Sequence, residues 1–295
     1  MDSVLVLIAA PGSRAIDTAV VEILRDFGGT APRWLDEAEA AEVAPFARQA
    51  DFIAALASHP VDTNIILAQG RRKRLLIADM DSTMIQQECI DELGLMAGVG
   101  ERIKDITIRA MQGELDFEGA LKERVGLLQG LDEAIIARIL SERITYMPGG
   151  YQLIATMKAN GAHTALVSGG FTPFTSHVAQ HLGFDQHQAN TLIIEDGKLA
   201  GTVGFPILGQ QAKVEALHRI CADLSIDRTD TIAVGDGAND VPMLLEAGLG
   251  VALHAKPKVQ EAAPVRINHG DLTALLFLQG YSRSEFVDRL PAAAY

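Results

Sequence analysis

Three short apolar runs, each stopped by a carboxylate or a hydroxyl, set the tightest limit on what this chain can fold into. They are Leu75-Leu76-Ile77-Ala78 before Asp79, Thr164-Ala165-Leu166-Val167 before Ser168, and Thr231-Ile232-Ala233-Val234 before Gly235-Asp236. Such unbroken runs belong to strands buried on both faces rather than to half-exposed strands with alternating polarity. Between the second and third runs, Val214, Leu217, Cys221 and Leu224 recur at spacings of three and four, as on a helix. Doubly buried strands alternating with helices specify an α/β class with a doubly wound parallel sheet. Ligands of open α/β sheets sit beyond the carboxyl ends of the strands. The polar residues just named all fall there.

Two segments interrupt this plan. About 87–145 carries helical patterning and no strong strand, and it enters directly after the first run; an insertion at strand ends is placed to act as a lid. Thr191-Leu192-Ile193-Ile194, Asp196-Gly197 and Lys198-Leu199 predict a hairpin with an Asp-Gly turn. Ahead of the sheet, residues 1–70 read as a small α/β domain. Its strand at 4–9 ends at Pro11-Gly12. A helix follows on Ile16, Val20, Ile23 and Phe27, then an ambiguous stretch at 34–43, a helix at 51–58 and a strand at 64–67. The basic run Arg71-Arg72-Lys73-Arg74 reads as a solvated linker, giving a second domain at 71–295 with its helical cap at about 87–145. A length of 295 residues accommodates two such domains.

Acidic residues outnumber basic ones by 38 to 25, a net charge of −13. That field repels polyphosphate backbones, which argues against nucleic acid as a partner but leaves room for a small anion held by local donors. No apolar run is long enough to span a bilayer, so no membrane partner is expected. Cys89 and Cys221 have no zinc or disulfide spacing and read as small core residues in a reducing compartment. Asp2 stands where a signal peptide needs a base, and the expectation is a cytoplasmic protein.

The chemistry concentrates at the strand ends. In extended chain Asp79 and Asp81 point the same way, and two close carboxylates call for a cation or a shared proton. Asp236 and Asp240 add two more acids from another strand end. Hard oxygen donors of this kind suit Mg²⁺. Ser168-Gly169-Gly170 offers a hydroxyl and glycine amides for an anion nest, and Lys213 supplies positive charge. The glycines of Gly235-Asp236-Gly237-Ala238-Asn239-Asp240 allow a tight turn, after which a helix opens towards Met243 and Leu244. Together these groups can make and break an aspartyl-phosphate: a carboxylate attacks phosphorus, and a second carboxylate moves the protons.

Taken in order, Asp79-Met80-Asp81-Ser82-Thr83, Ser168-Gly169-Gly170-Phe171, Lys213 and Gly235 to Asp240 resemble the four motifs of haloacid dehalogenase-like phosphatases. The closer likeness is to members that hydrolyse O-phospho-serine and carry a helical cap after the first motif. It is seen in Ile106-Thr107, Ala110-Met111, Gly113, Leu115, Phe117 and Arg124-Val125, in the hairpin from Ala189-Asn190 to Gly201, and in Ala255-Lys256-Pro257. The resemblance covers about 74–280. It implies Asp79 as nucleophile and Asp81 as general acid and base. Mg²⁺ would be held by Asp79, the Asp81 backbone carbonyl and Asp236, with Asp240 in support. Ser168, Gly169, Lys213 and Asn239 would bind phosphate. Glu88 would take the substrate ammonium and Arg124 its carboxylate, with Met111 and Phe117 as the apolar wall of the cap. The implied activity is Mg²⁺-dependent hydrolysis of phosphoserine, the last step of serine synthesis.

Ala120, where the family often has serine, and Gly204-Phe205-Pro206, in place of a more acidic turn, depart from the pattern without touching the assigned chemistry. More weakly, 1–70 resembles ACT-like regulatory domains, which implies amino-acid binding there. Two other readings stand beside the first: a phosphatase or phosphotransferase of another small phosphate monoester, and a non-catalytic amino-acid sensor. The intact set Asp79, Asp81, Lys213 and Asp236 argues against the sensor, since a silent site has no physical need for mutually repelling acids. A homodimer is compatible with either.

Overall fold

The structure, a computed structural model, describes residues 3–288. In chain order it contains β1 (Ser3–Ala9), α1 (Thr18–Asp26), β2 (Arg33–Asp36), β3 (Ala40–Val43), α2 (Gln49–Ala55), β4 (Val61–Leu67) and β5 (Leu75–Ala78). Four helices follow, α3 (Cys89–Met96), α4 (Gly100–Met111), α5 (Phe117–Gly126) and α6 (Ala134–Glu142), then α7 (Gly150–Ala159), β6 (His163–Phe171), α8 (Thr172–Leu182), β7 (Gln186–Asn190), β8 (Leu192–Glu195) and β9 (Lys198–Val203). The chain continues through α9 (Gln210–Leu224), β10 (Thr231–Gly235), α10 (Val241–Glu246), β11 (Leu249–Leu253), α11 (Pro257–Ala262), β12 (Val265–Ile267) and α12 (Ala274–Leu278).

The three apolar runs are β5, the centre of β6 and β10, all in one six-stranded sheet of order β12-β11-β10-β5-β6-β7. The pairings of β10 with β11, β11 with β12, and β6 with β7 are parallel. The expected α/β class and doubly wound sheet are therefore observed. The order reverses between β5 and β10, the switch point at which such sheets bind ligands.

The chain divides into two compact units. One comprises Met1–Leu76, Pro148–Thr164 and Ile220–Tyr295. Within it the N-terminal residues form a β-α-β-β-α-β arrangement with an antiparallel sheet of order β2-β3-β1-β4. Only two of these four strands were legible in sequence. The missing pair, β2 and β3, is short, and β3 (Ala-Ala-Glu-Val) places a charge in a strand where every residue is buried. Glu42 is tolerated there because Arg33 and Arg71 both pair with its carboxylate. Leu5, Leu7 and Ala9 of β1 pack with Val20, Leu24, Phe52 and Leu56. Val6 and Ile8 on its other face are also buried, and α12 lies against this strand.

The basic run is not the solvated linker expected. Arg71 donates to the carbonyls of Phe277 and Leu278 at the end of α12, besides pairing with Glu42. Arg72 stacks over the Tyr281 ring, and Lys73 Nζ reaches the carbonyls of Gly70 and Thr229. Two side chains of β4 bond the backbone of β12 and the loop after it. Asn64 accepts from the Arg266 N–H and donates to its carbonyl, while Asp62 accepts from the N–H groups of Asn268, His269 and Gly270.

The second unit comprises Ile77–Met147 and Ala165–Arg219. It holds the expected helical insertion, α3 to α6. The β8–β9 hairpin turns on Asp196 (φ 49°) and Gly197 (φ 74°), the left-handed pair of a type I′ turn. It is tied to the insertion by bonds from Gly130 N to Leu199 O and from Leu199 N to Leu131 O. Both cysteines are buried, as read.

Candidate active site

β5 ends at Ala78, so Asp79 and Met80 lie just beyond the strand and Asp81 opens a turn. Asp79 is buried, and its Oδ1 lies 2.6 Å from Nζ of Lys213, near the start of α9. Lys213 is 1% exposed. A buried lysine keeps its charge only with such a partner, which makes it the compensating cation that the sequence reading sought.

Asp81 takes a different role. Its Oδ1 accepts the Cys89 N–H at 3.2 Å. Burial, and then the charge of Glu88, push its carboxyl up to about 7, while bonds from Cys89 and the charge of Lys213 pull the other way. A carboxyl poised near neutrality can both give and take a proton. Next to it Ser82 holds a left-handed backbone (φ 53°), a strained conformation for serine, with its Oγ 2.8 Å from Glu88 Oε1. Glu88 is the N-cap residue of α3 and is exposed. Arg124, on α5, donates from Nε to the Ala120 carbonyl. Burial lowers its pKa, and the charges of Asp91, Glu88 and Asp81 counter that effect.

Ser168, Gly169 and Gly170 remain extended in β6, at a register shift between Val167 and Phe171, and do not wind into the predicted nest. A nest needs a left-handed residue, and neither glycine has positive φ. Ser168 Oγ instead accepts the Gly170 N–H at 2.9 Å. Both glycines face crowded neighbours. A Cβ on Gly169 would stand 3.1 Å from the Phe117 ring, and one on Gly170 would stand 2.8 Å from Asp81 Oδ2. Phe117 thus covers Gly169 as the cap wall should. The side chain of Met111, the other predicted wall residue, lies outside the described residues.

Asn190, buried, holds this loop in place. It donates to the carbonyls of Gly169 and Leu208 and accepts the Leu208 N–H. Asn190, Ser82 and the contact of Cys89 with Asp81 went unread in sequence. A buried asparagine with three backbone bonds is invisible until residues far apart in the chain meet.

Beyond β10, Gly235 and Gly237 also lack positive φ; the turn needs them because Cβ atoms would strike Asp240 Cγ at 2.4 Å and Asn239 Oδ1 at 2.3 Å. Asp240 stands at the N-cap position of α10 without a side-chain capping bond, and its Oδ2 accepts the Gly237 N–H. Asp236 and Asp240 in one unit and Asp79 in the other offer the hard oxygen donors that fit Mg²⁺. Among the described residues no helix is long and apolar enough to cross a membrane.

Comparison with known proteins places this geometry. The haloacid dehalogenase-like hydrolase family matches residues 76–245. The chain is 48% identical over 204 residues to a phosphoserine phosphatase of Haemophilus influenzae, covering 69% of this chain and 65% of that one. It thus spans just under two thirds of that relative. A crystal structure of a probable phosphoserine phosphatase from Vibrio cholerae, unliganded, superposes with TM-score 0.80 at 35% identity, covering 96% of this chain and 88% of the other. A phospho-aspartyl intermediate analogue of a phosphoserine phosphatase gives TM-score 0.65 at 42% identity, covering 69% and 97%.

Proposed function

Since the chain belongs to the haloacid dehalogenase-like hydrolase family, we propose that it hydrolyses O-phospho-serine to serine and phosphate through a phosphoryl-enzyme on Asp79. The observation that carries the reading is the buried Asp79–Lys213 pair at 2.6 Å, in one unit with Asp81, Glu88 and Arg124. The likeness to a phospho-aspartyl analogue of a phosphoserine phosphatase supports it.

In the first step an Asp79 oxygen attacks phosphorus. The bond from phosphorus to the serine oxygen breaks, and Asp81 delivers its proton to that oxygen. In the second, Asp81 takes a proton from water as the water oxygen attacks phosphorus, and the bond from phosphorus to Asp79 breaks. Lys213, Ser168, Gly169 and Asn239 hold the phosphoryl oxygens and favour the charge-rich transition state. Asp79, Asp236 and the Asp81 carbonyl would hold Mg²⁺, with Asp240 in support; when bound, the ion supplies positive charge where two anions meet. Glu88 receives the ammonium. Arg124 offers its planar fork to the carboxylate, and Phe117 closes the cap over the ester.

This assigns 71–295 to the phosphatase domain and 1–70, whose β-α-β-β-α-β order suits an ACT-like module, to an accessory one. It also puts the protein in the cytoplasm, at the last step of serine synthesis. The test is phosphate release from phosphoserine, phosphoethanolamine and phosphoglycolate, with and without Mg²⁺. Phosphoserine should exceed both analogues at least about 100-fold in kcat/KM, because each lacks one group bonded to a charged partner. Equal rates would refute the substrate assignment. An Asp79→Asn variant that retained most activity would refute the nucleophile.

A further inference from the structure

We infer that Cys89 and Gly170 are positioning residues that together set the aim of the Asp81 carboxylate, one oxygen each. The inference rests on the role of Asp81 in the reading above and concerns how that residue is held. Neither partner has been tied to Asp81: Cys89 reads as a core residue, and Gly170 as one amide of the expected anion nest.

The two carboxylate oxygens face different constraints. Oδ1 accepts the Cys89 N–H at 3.2 Å. Cys89 is fully buried and begins α3 directly after Glu88. Its amide is therefore fixed by the helix. Oδ2 lies over Gly170, where an added Cβ would sit 2.8 Å from it, closer than such atoms approach. The same Cβ would also be 3.1 Å from Ser168 Oγ, which is engaged by the Gly170 N–H, and 3.4 Å from the Met80 side chain. Asp81 is thus pulled from one side and given room on the other. Carboxylate torsions about the terminal bond are broad, so an acid that must meet a leaving oxygen needs both constraints.

The consequence is specific to the step in which Asp81 acts. Protonating the leaving group matters for an alkyl oxygen, which departs poorly as an anion. It matters little for a nitrophenolate, which departs unaided. Misaiming Asp81 should therefore slow phosphoryl-enzyme formation from phosphoserine and spare it from p-nitrophenyl phosphate. A merely structural role would slow both alike.

The experiment is single-turnover kinetics on the full chain with Mg²⁺, comparing wild type with Cys89→Pro, Cys89→Ala and Gly170→Ala on the two substrates; proline suits the first position of a helix and removes the N–H there, whereas alanine keeps it. Thermal melts confirm that each variant is folded. Cys89→Pro and Gly170→Ala should lose about 10-fold or more with phosphoserine, a fraction of the factor of about 10² to 10⁴ that general acids contribute, and less than twofold with p-nitrophenyl phosphate. Cys89→Ala, which keeps the amide, should lose far less than Cys89→Pro. Equal losses on both substrates, or none on either, would overturn the inference. Should Gly170→Ala fail to fold, the cysteine pair still decides. Should wild type cleave p-nitrophenyl phosphate but not phosphoserine, the substrate reading fails, and the leaving-group comparison is repeated with another alkyl phosphate that the enzyme accepts.

Discussion

Removing the Asp62 carboxylate should destabilise the protein by about 3–4 kcal/mol, a large effect for one side chain on the second residue of a strand. Asp62 is 5% exposed and accepts three backbone N–H groups, from Asn268 at 2.8 Å and from His269 and Gly270 at 2.9 Å. Bonds to a charged acceptor are worth about 1.5–3 kcal/mol each. The low end applies to Asn268 and His269, whose residues are exposed and whose amides can turn to water in Asp62→Ala. Gly270 is buried, and its amide would be left unsatisfied. These terms do not add in full, because the carboxylate regains its hydration in the unfolded chain. Asp62→Asn separates hydrogen bonding from packing. Its one oxygen can keep the His269 and Gly270 bonds, but its amide nitrogen then faces the Asn268 N–H, donor against donor. A loss of about 2 kcal/mol is expected. Urea unfolding followed by circular dichroism should rank the midpoints wild type, Asp62→Asn, Asp62→Ala. If Asp62→Asn unfolded within about 0.5 kcal/mol of wild type, Asp62 would be filling space and not tying the loop.

Three other outcomes follow from the site. Asp81 is raised from 3.8 to about 7, so in metal-free protein its contribution to stability is full below pH 3.8 and is lost as pH rises through about 7; melts in chelator across that window should show the decline, and single-turnover phosphorylation should fall over the same upper range as the acid loses its proton. Lys213→Met strands the buried Asp79 charge and should cost about 3–5 kcal/mol by denaturant titration and at least about 100-fold in kcat; a stable, active variant would deny the pair its role. Mg²⁺ at about 100 times its Kd should stabilise the fold by about 2.7 kcal/mol, read as a rise in Tm that Asp236→Asn abolishes; an unchanged Tm in wild type would count against the cation site.

Local patterning was enough to read the strands β5, β6 and β10, the helical insertion and the Asp-Gly hairpin. Each rests on periodicity or on turn chemistry carried by neighbouring residues. The strands β2 and β3 stayed hidden because Glu42 is neutralised by Arg33 and Arg71, residues that no local window brings together. The linker reading of 71–74 failed for the same reason, since the partners of Arg71 lie more than two hundred residues away at the end of α12.

Residue identity alone determined what this protein can offer chemically: clustered carboxylates at strand ends, a lysine to offset them, and glycines where atoms crowd. Tertiary structure decided which atoms meet. It paired Lys213 with Asp79, left Asp81 to Cys89 and Gly170, and kept the Ser168 loop extended. The physical reason is range. Backbone conformation answers to near neighbours, whereas burial and charge answer to whatever the folded chain carries alongside.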